Sequence, residues 1–437
     1  VTAEYQGVDA LTVAAAPTTL RRIMPILRLQ NEIQRYAWGS LDEIPRLLRL
    51  SNRSREPMAE LWMGAHPKAP SRVEIDSGTH QALGEFIAND PERTLGPEVA
   101  RRFNGRLPFL FKILAVHTAL SIQAHPTRDQ AREGYEREER AGIPIEAFER
   151  NYRDKNSKPE MIVAMGEFWV LRGFRPVHQI RELLGTLGCP EILAGAFEAL
   201  RCANESEAYD ALLQALLDLP AEQADNLLRT TDQIAQVKRR EPLWYWVHEL
   251  CRSFPRDLGA IAPLYLNLIK LRPGEAMFLP AGELHAYLRG SAIEIQGSSD
   301  NVLRGGLTSK HIDRDELRRI LRFESTEVKI IDPDVVDRTA RVYRTPVEEF
   351  ELWRHNTPSL PAPKHLGGEA GAVTLETGGT PEILLSLDGY SDLRFADHVL
   401  RLEPGESAFV TADTERYSVS GSAVLYRARV GSLEGDA

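Results

Sequence analysis

Tyr265-Leu-Asn-Leu-Ile-Lys-Leu271, Arg272-Pro-Gly-Glu275 and Ala276-Met-Phe-Leu-Pro280 read in order as a strand, a tight turn and a second strand. Apolar residues alternate along the first segment, as they do on a pleated strand with one buried face. Proline and glycine at the centre of the x-Pro-Gly-Glu stretch supply the turn. The design recurs about 130 residues later, where Leu400-Arg-Leu402 leads into Glu403-Pro-Gly-Glu406 and Ser407-Ala-Phe-Val410. We read this as a diverged internal repeat of one β-barrel motif. The first copy continues into Gly282-Glu-Leu-His285, whereas the second has no histidine at the matching turn, and His398 stands elsewhere.

Outward from this hairpin, the stretch between Leu27 and Val177 alternates short apolar runs with Gly, Pro and Asn punctuation, a pattern of strands and loops. Leu107–Val116 and Pro159–Met165 are its clearest strands. One helix is expected to interrupt them, with Thr127 as N-cap and Gln130 completing a capping box. From His178 to Ala262 the period changes: Ile180, Leu183, Leu184, Leu187 and then Leu212, Leu213, Leu216, Leu217 recur at helical spacing. The chain therefore reads as mainly β with a helical insertion.

The 437 residues are 43 % hydrophobic and 27 % charged, enough to bury two or three cores. A formal net charge of −10 argues against a nucleic-acid binder but leaves a locally basic pocket open. Cys189, Cys202 and Cys251 have no CxxC spacing and suit free thiols in a reducing compartment such as the cytoplasm. There is no apolar run of about 18 residues, so no membrane span is expected. In residues 1–23 the Arg21-Arg22 pair follows the apolar part, the wrong order for a secretory signal, and we read this stretch as a flexible extension.

The most informative chemistry is Ser121-Ile-Gln-Ala-His-Pro126. Alternation puts Ser121, Gln123 and His125 on one face, and an amide oxygen beside an imidazole suits a borderline cation such as zinc. Alone, such a triplet is more often structural than a ligand pair. Asn156-Ser-Lys-Pro-Glu160 adds a carboxylate at a strand entry, and Pro280-Ala-Gly-Glu-Leu-His285 places a histidine at a barrel rim. Gln123, His125, Glu160 and His285 would form an open site with two nitrogen and two oxygen ligands. Lys112 lies in an apolar strand and must pair with a carboxylate or phosphate. Glu294, between Ile293 and Ile295, faces either solvent or the barrel interior. Trp62 and His66 are assigned to structure, and His311 is expected to begin a helix.

Tyr36-Ala-Trp-Gly39, Ala59-Glu-Leu-Trp-Met-Gly-Ala-His-Pro67, Leu107-Pro-Phe-Leu-Phe-Lys112, Ser121–Pro126, Lys158-Pro-Glu160, Pro280–His285, and Glu294-Ile-Gln with Ser299–Gly306 together resemble the type I mannose-6-phosphate isomerases, in that order. The resemblance runs from Met24 onward. It implies two cupin-type jelly-roll β-barrels plus an α-helical domain: a catalytic barrel over residues 24–177 with 262–325, a helical insertion over 178–261, and a second, metal-free jelly roll over 326–437. It implies one zinc ion per chain on Gln123, His125, Glu160 and His285, and an active-site arginine at Arg304. Lys112, Lys158 and Glu294 become the pocket lysines and acid. The implied reaction converts mannose 6-phosphate and fructose 6-phosphate through a cis-enediolate in a monomeric, cytoplasmic enzyme. Glu294 is our choice of base, with Lys158 or Lys112 as the competing assignment. Ser121 and Lys310 are assigned to binding the sugar phosphate. The rival readings are an isomerase of another phosphosugar and a non-catalytic sugar-phosphate sensor.

Overall fold

The structure, a computed structural model, describes residues 25–76, 78–188, 193–202, 204–357 and 372–431. The expected extension over residues 1–23, Cys189 and the side chain of Cys202 lie outside the described residues.

Both Pro-Gly-Glu turns join the strands expected of them, Leu266–Leu271 to Ala276–Leu279 and His398–Leu402 to Ser407–Val410. Gly274 and Gly405 sit at φ +88° and +85°, where a side chain would be strained. The two strands of each unit pair with other strands and not with one another, and each unit is followed by a long strand, His285–Gly297 and Arg416–Arg429. The likeness extends into these strands. Gly290 (φ +126°) and Gly421 (φ +123°) occupy matching positions, and a Cβ at either would come within 2.4 Å of the carbonyl oxygen of Glu167 or Tyr390 respectively. The residue as far before Gly421 as His285 is before Gly290 is Arg416, and it is exposed.

Around Gly290 the first long strand changes partners. Its early residues pair with Phe168–Phe174, and its later ones lie between Phe109–Val116 and Glu160–Ala164. One strand thus serves two layers. The strands form a 10-stranded and an 11-stranded sheet, both built from antiparallel pairs, and neither closes on itself among the described residues. The N-terminal strand Ile26–Gln30 joins the C-terminal sheet by pairing with Ser407–Val410. A shared apolar core, including Ile113, Met161 and Ile293 from one side and Leu352, Ile383 and Phe409 from the other, seals the two strand sets together.

The helical stretch comprises Val177–Gly185, Ala194–Cys202, Glu205–Leu217, Ala221–Lys238 and Pro242–Ser253. Ile180, Leu184, Leu212, Leu213 and Leu216 are buried on its inner faces, while Leu183 and Leu217 are partly buried at their edges. That core is continuous with Ile122, Leu171, Leu284 and Leu303, so the helices brace the strands that carry the site below. Cys251 is a buried free thiol, pushed up to about 12 by burial and the nearby Asp232 charge.

The helix Arg128–Arg140 has the expected capping box: the Thr127 hydroxyl accepts from Gln130 N–H at 3.2 Å, and the Gln130 side chain accepts from Thr127 N–H at 2.9 Å. It is not alone among the early strands. Glu43–Leu47, Leu83–Asn89, Pro91–Leu95 and Pro97–Arg102 are also helical. Pro91 and Pro97, read as loop punctuation, instead fill first-turn positions whose N–H groups need no helical partner, and Asp90 caps by accepting from Arg93 N–H at 3.2 Å. His311 does not begin a helix. That helix is Arg314–Ile320, because Asp313 caps it by accepting from Glu316 N–H at 3.0 Å.

Candidate metal centre and active site

Four side chains stand in a row across neighbouring strands. Arg304 pairs with Gln123, Gln123 with His285, and His285 with Arg172. Residues directly opposite on antiparallel strands present their side chains to one face, with Cβ atoms about 5 Å apart. Gln123 is the centre of the short strand Ile122–Ala124, and His125 follows it just before Pro126. Glu160 opens the strand Glu160–Ala164, opposite Leu279 and Gln296.

These elements bring His125, Glu160 and His285 together. One donor atom from each lies within 4.8 Å of the others, and all three side chains are buried. His125 Nε2 is 3.1 Å from Glu160 Oε1, and His285 Nε2 is 3.5 Å from Glu160 Oε2. Neither Nε2 has a hydrogen-bond partner. Both Nδ1 atoms do: His125 Nδ1 lies 2.8 Å from the Asn301 carbonyl oxygen and His285 Nδ1 lies 3.1 Å from that of Glu283. A carbonyl only accepts, so each Nδ1 carries a proton, and it is Nε2 whose lone pair the neutral form of each ring offers. Backbone carbonyls holding the far nitrogen are the support that metal-ligating histidines use. Burial and the Lys158 charge lower the His125 pKa to about 4, which keeps the ring neutral. Burial opposes charge on Glu160, yet Lys158, His125 and His285 hold its carboxyl well below the usual range. Two imidazoles and one carboxylate, with Gln123 beside them, fit a zinc-type donor set.

Lys158 Nζ contacts Glu160 Oε1 at 2.7 Å. Lys112 has the carboxylate partner its burial demanded: its ammonium donates to Glu294 Oε2 at 2.9 Å and Gln296 Oε1 at 2.7 Å. Glu294 faces the interior, not solvent. Burial raises its pKa against the pull of Lys112. Burial works against the Lys112 charge, but Glu294 and Glu60 push its pKa above the ordinary lysine value.

Arg304 is partly buried and makes no hydrogen bond or ion pair with another described residue. Burial and the Arg153 charge lower its pKa. Lys310 belongs to the same basic group: partial burial, Arg304 and Arg153 lower its pKa. Ser121 sits two residues before Gln123, and its hydroxyl has no partner among the described residues.

Two residues escaped the sequence reading. The Tyr287 hydroxyl donates to Glu160 Oε2 at 2.9 Å, and its position two residues after His285 on one strand was the available signal. Asn301 is fully buried, and besides its carbonyl contact to His125 its side chain binds the loop at Arg153, Asp154 and Asn156. No local pattern marks that role. Trp62 packs against the site, with Lys112 Nζ 5.2 Å from its ring centre, and His66 meets Trp62 edge-on at 4.9 Å.

Residues 26–177 match the family model for the phosphomannose isomerase type I catalytic domain. The mannose-6-phosphate isomerase of Escherichia coli is 37 % identical over 404 residues, covering 92 % of this chain and 98 % of that one. The chain belongs to the type I mannose-6-phosphate isomerase family. The human mannose-6-phosphate isomerase is 33 % identical over 386 residues, 82 % of this chain and 88 % of its own. The crystal structure of the Salmonella typhimurium mannose 6-phosphate isomerase bound to fructose 6-phosphate and zinc superposes with a TM-score of 0.85 at 36 % identity, over 94 % of this chain and all (100 %) of that one. Membership of the family makes the chain an isomerase and agrees with the order of motifs in its sequence. No helix among the described residues is long and apolar enough to cross a membrane.

Proposed function

We propose that the chain interconverts D-mannose 6-phosphate and D-fructose 6-phosphate with one zinc ion held by Gln123, His125, Glu160 and His285. The observation that carries this reading is the pair of unpartnered Nε2 atoms facing one buried carboxylate, on a sheet face shared with an arginine lacking a counter-ion. Zinc, when bound, supplies Lewis-acid polarisation of the sugar's O1 and O2.

The residues divide the remaining work. Glu294 takes the proton from C2 and returns it to C1, and a hydroxyl proton passes from O2 to O1. The intermediate is a cis-enediolate whose negative charge Arg304 meets with a fixed guanidinium. Burial of Glu294 favours proton uptake, and Lys112 orients its carboxylate. Lys158, beside Glu160, remains the competing proton carrier. The 6-phosphate is met by Ser121 and Lys310, whose charge adds to those of Arg304 and Arg153.

The scaffold we propose is a catalytic cupin-type jelly roll over residues 24–177 with 262–325, a helical insertion over 178–261, and a second jelly roll over 326–437. The repeated turn, bent strand and glycine support it. The enzyme acts as a monomer in the cytoplasm in this reading, and the buried, unpaired Cys251 suits a reducing compartment.

The test is chelation followed by zinc restoration, assayed with mannose 6-phosphate and glucose 6-phosphate side by side. Activity should vanish, return with zinc and favour mannose 6-phosphate. Full activity in protein shown to be metal-free would overturn the zinc role, and preference for the glucose ester would overturn the substrate.

A further inference from the structure

A cavity of about 570 Å³ opens at the seam between the two strand sets, on the face of the strand Phe109–Val116 opposite Lys112. Ile113 and Ala115 line it, and both alternate with Lys112, whose side chain points to the opposite face. Val424 and Tyr426 form the facing wall, from the C-terminal set. The register shift between Leu387 and Tyr390 and the left-handed Asp388 (φ +52°) turn the backbone aside at its edge.

Three arginines, Arg46, Arg49 and Arg354, and two acids, Glu43 and Asp388, line this cavity. Arg46 at the mouth pairs with Glu43 at 2.5 Å, and Arg49 lies 3.9 Å from Glu403. Arg354, also lining the cavity, pairs with nothing: its Nε is buried without a hydrogen-bond partner, and it makes no ion pair with a described residue. Arg354 is only partly buried as a residue, but a buried N–H left without a partner is costly unless a ligand supplies one. A concave site of this volume, with an apolar wall and a few polar groups, has the build of a small-molecule pocket.

We propose that this cavity is a second ligand site, separate from the sugar-phosphate site, that takes a small organic anion through Arg354. The anionic group is a carboxylate or a phosphate, the two planar or trigonal arrays of oxygens a guanidinium fork matches. The body of the ligand lies against Ile113, Ala115 and Val424.

The experiment uses the zinc-loaded full chain carrying Arg304→Ala, which weakens anion binding at the sugar site, and titrates it calorimetrically with succinate and with inorganic phosphate. At least one probe should bind saturably at one per chain. Arg354→Gln should weaken that binding about tenfold or more, as loss of a charge-assisted hydrogen bond does, while Arg354→Lys should retain part of it. Val424→Phe, which fills the cavity without touching charge, should also abolish it. The probe that binds distinguishes a carboxylate ligand from a phosphate ester. Absence of saturable binding by both probes, or binding indifferent to both Arg354→Gln and Val424→Phe, would overturn the site. In the otherwise unmodified enzyme, Arg354→Gln should leave isomerase activity at its basal level, and unfolding profiles of each variant establish that it folds. Should Arg354→Gln fail to fold, the Val424→Phe comparison decides alone.

Discussion

The Nδ1 nitrogen of His125 lies 2.8 Å from the backbone carbonyl oxygen of Asn301, and the Asn301 amide in turn donates to the carbonyl oxygens of Asp154 and Asn156, each at 2.9 Å. One residue therefore aims a metal-ligating ring and anchors the loop leading to Lys158 and Glu160. Asn301→Ala removes the anchor while leaving every donor atom in place. Zinc affinity should fall roughly 10- to 100-fold, the usual effect of losing support behind a ligand. Competition with a chromogenic chelator measures it, and an unchanged affinity would show that the loop needs no such tie.

Tyr287→Phe probes the other support. The phenol stays protonated because burial and the Glu160 charge raise its pKa well above the ordinary value. Removing its hydroxyl deprives a buried carboxylate of a donor, and about 1–3 kcal/mol of stability should go with it. Urea unfolding of the zinc-free protein reads this loss directly.

Arg304→Ala should lower kcat by about 10²- to 10³-fold, the effect of deleting a preorganised donor to a developing oxyanion. Zinc content should not change, because the guanidinium contributes no donor atom to the metal. Parallel measurements of turnover and bound metal separate the two, and a proportional loss of both would place Arg304 in the metal's support instead.

Glu294→Gln leaves the buried Lys112 ammonium facing two amides. Breaking one side of such a pair costs about 3–5 kcal/mol. The double variant Lys112→Met with Glu294→Gln should recover much of that stability but not the activity. A double-mutant cycle on unfolding free energy checks the coupling, and near-normal kcat in Glu294→Gln would pass the proton transfer to Lys158.

His355, far along the chain from the metal site, sets a pH dependence. Burial and the Arg427 charge lower its pKa from 6.5 to about 4. Above pH 6.5 the ring is neutral in the folded and unfolded chains alike, and the associated stability is fully present. As pH falls from 6.5 toward 4, only the unfolded chain takes up the proton, so stability drops by about 1.4 kcal/mol per unit. His355→Phe keeps a ring stacked on Trp353 and should flatten that slope. Urea titrations of both proteins at several pH values make the comparison, and parallel slopes would contradict it.

Much of this was legible in the sequence because it is local. The Pro-Gly-Glu turns, the strands beside them and the capping box of Thr127 and Gln130 depend on near neighbours, and each formed as read. The identities of His125, Glu160 and His285 were legible from their motifs, but their convergence was not, since it depends on strand register between distant segments. The same limit hid Tyr287 and Asn301, whose partners lie 127 and 176 residues away. Lys112 was a half-success: burial demanded a counter-charge, but only the register of Phe109–Val116 against the bent strand chose Glu294. Prolines misled where they begin helices, at Pro91 and Pro97, because the same residue also marks loops.

Gly290 carries a consequence for how this catalyst can vary. His285 and Tyr287 precede it and Glu294 and Gln296 follow it, on one uninterrupted strand. The angle between the ion's cradle and the buried Lys112–Glu294 pair is thus written into a single backbone joint instead of being negotiated between loops. Any side chain there would collide with the Glu167 carbonyl and tilt both halves together. Drift in surrounding surfaces can be absorbed, whereas a change at this joint would shift His285 and Glu294 at once.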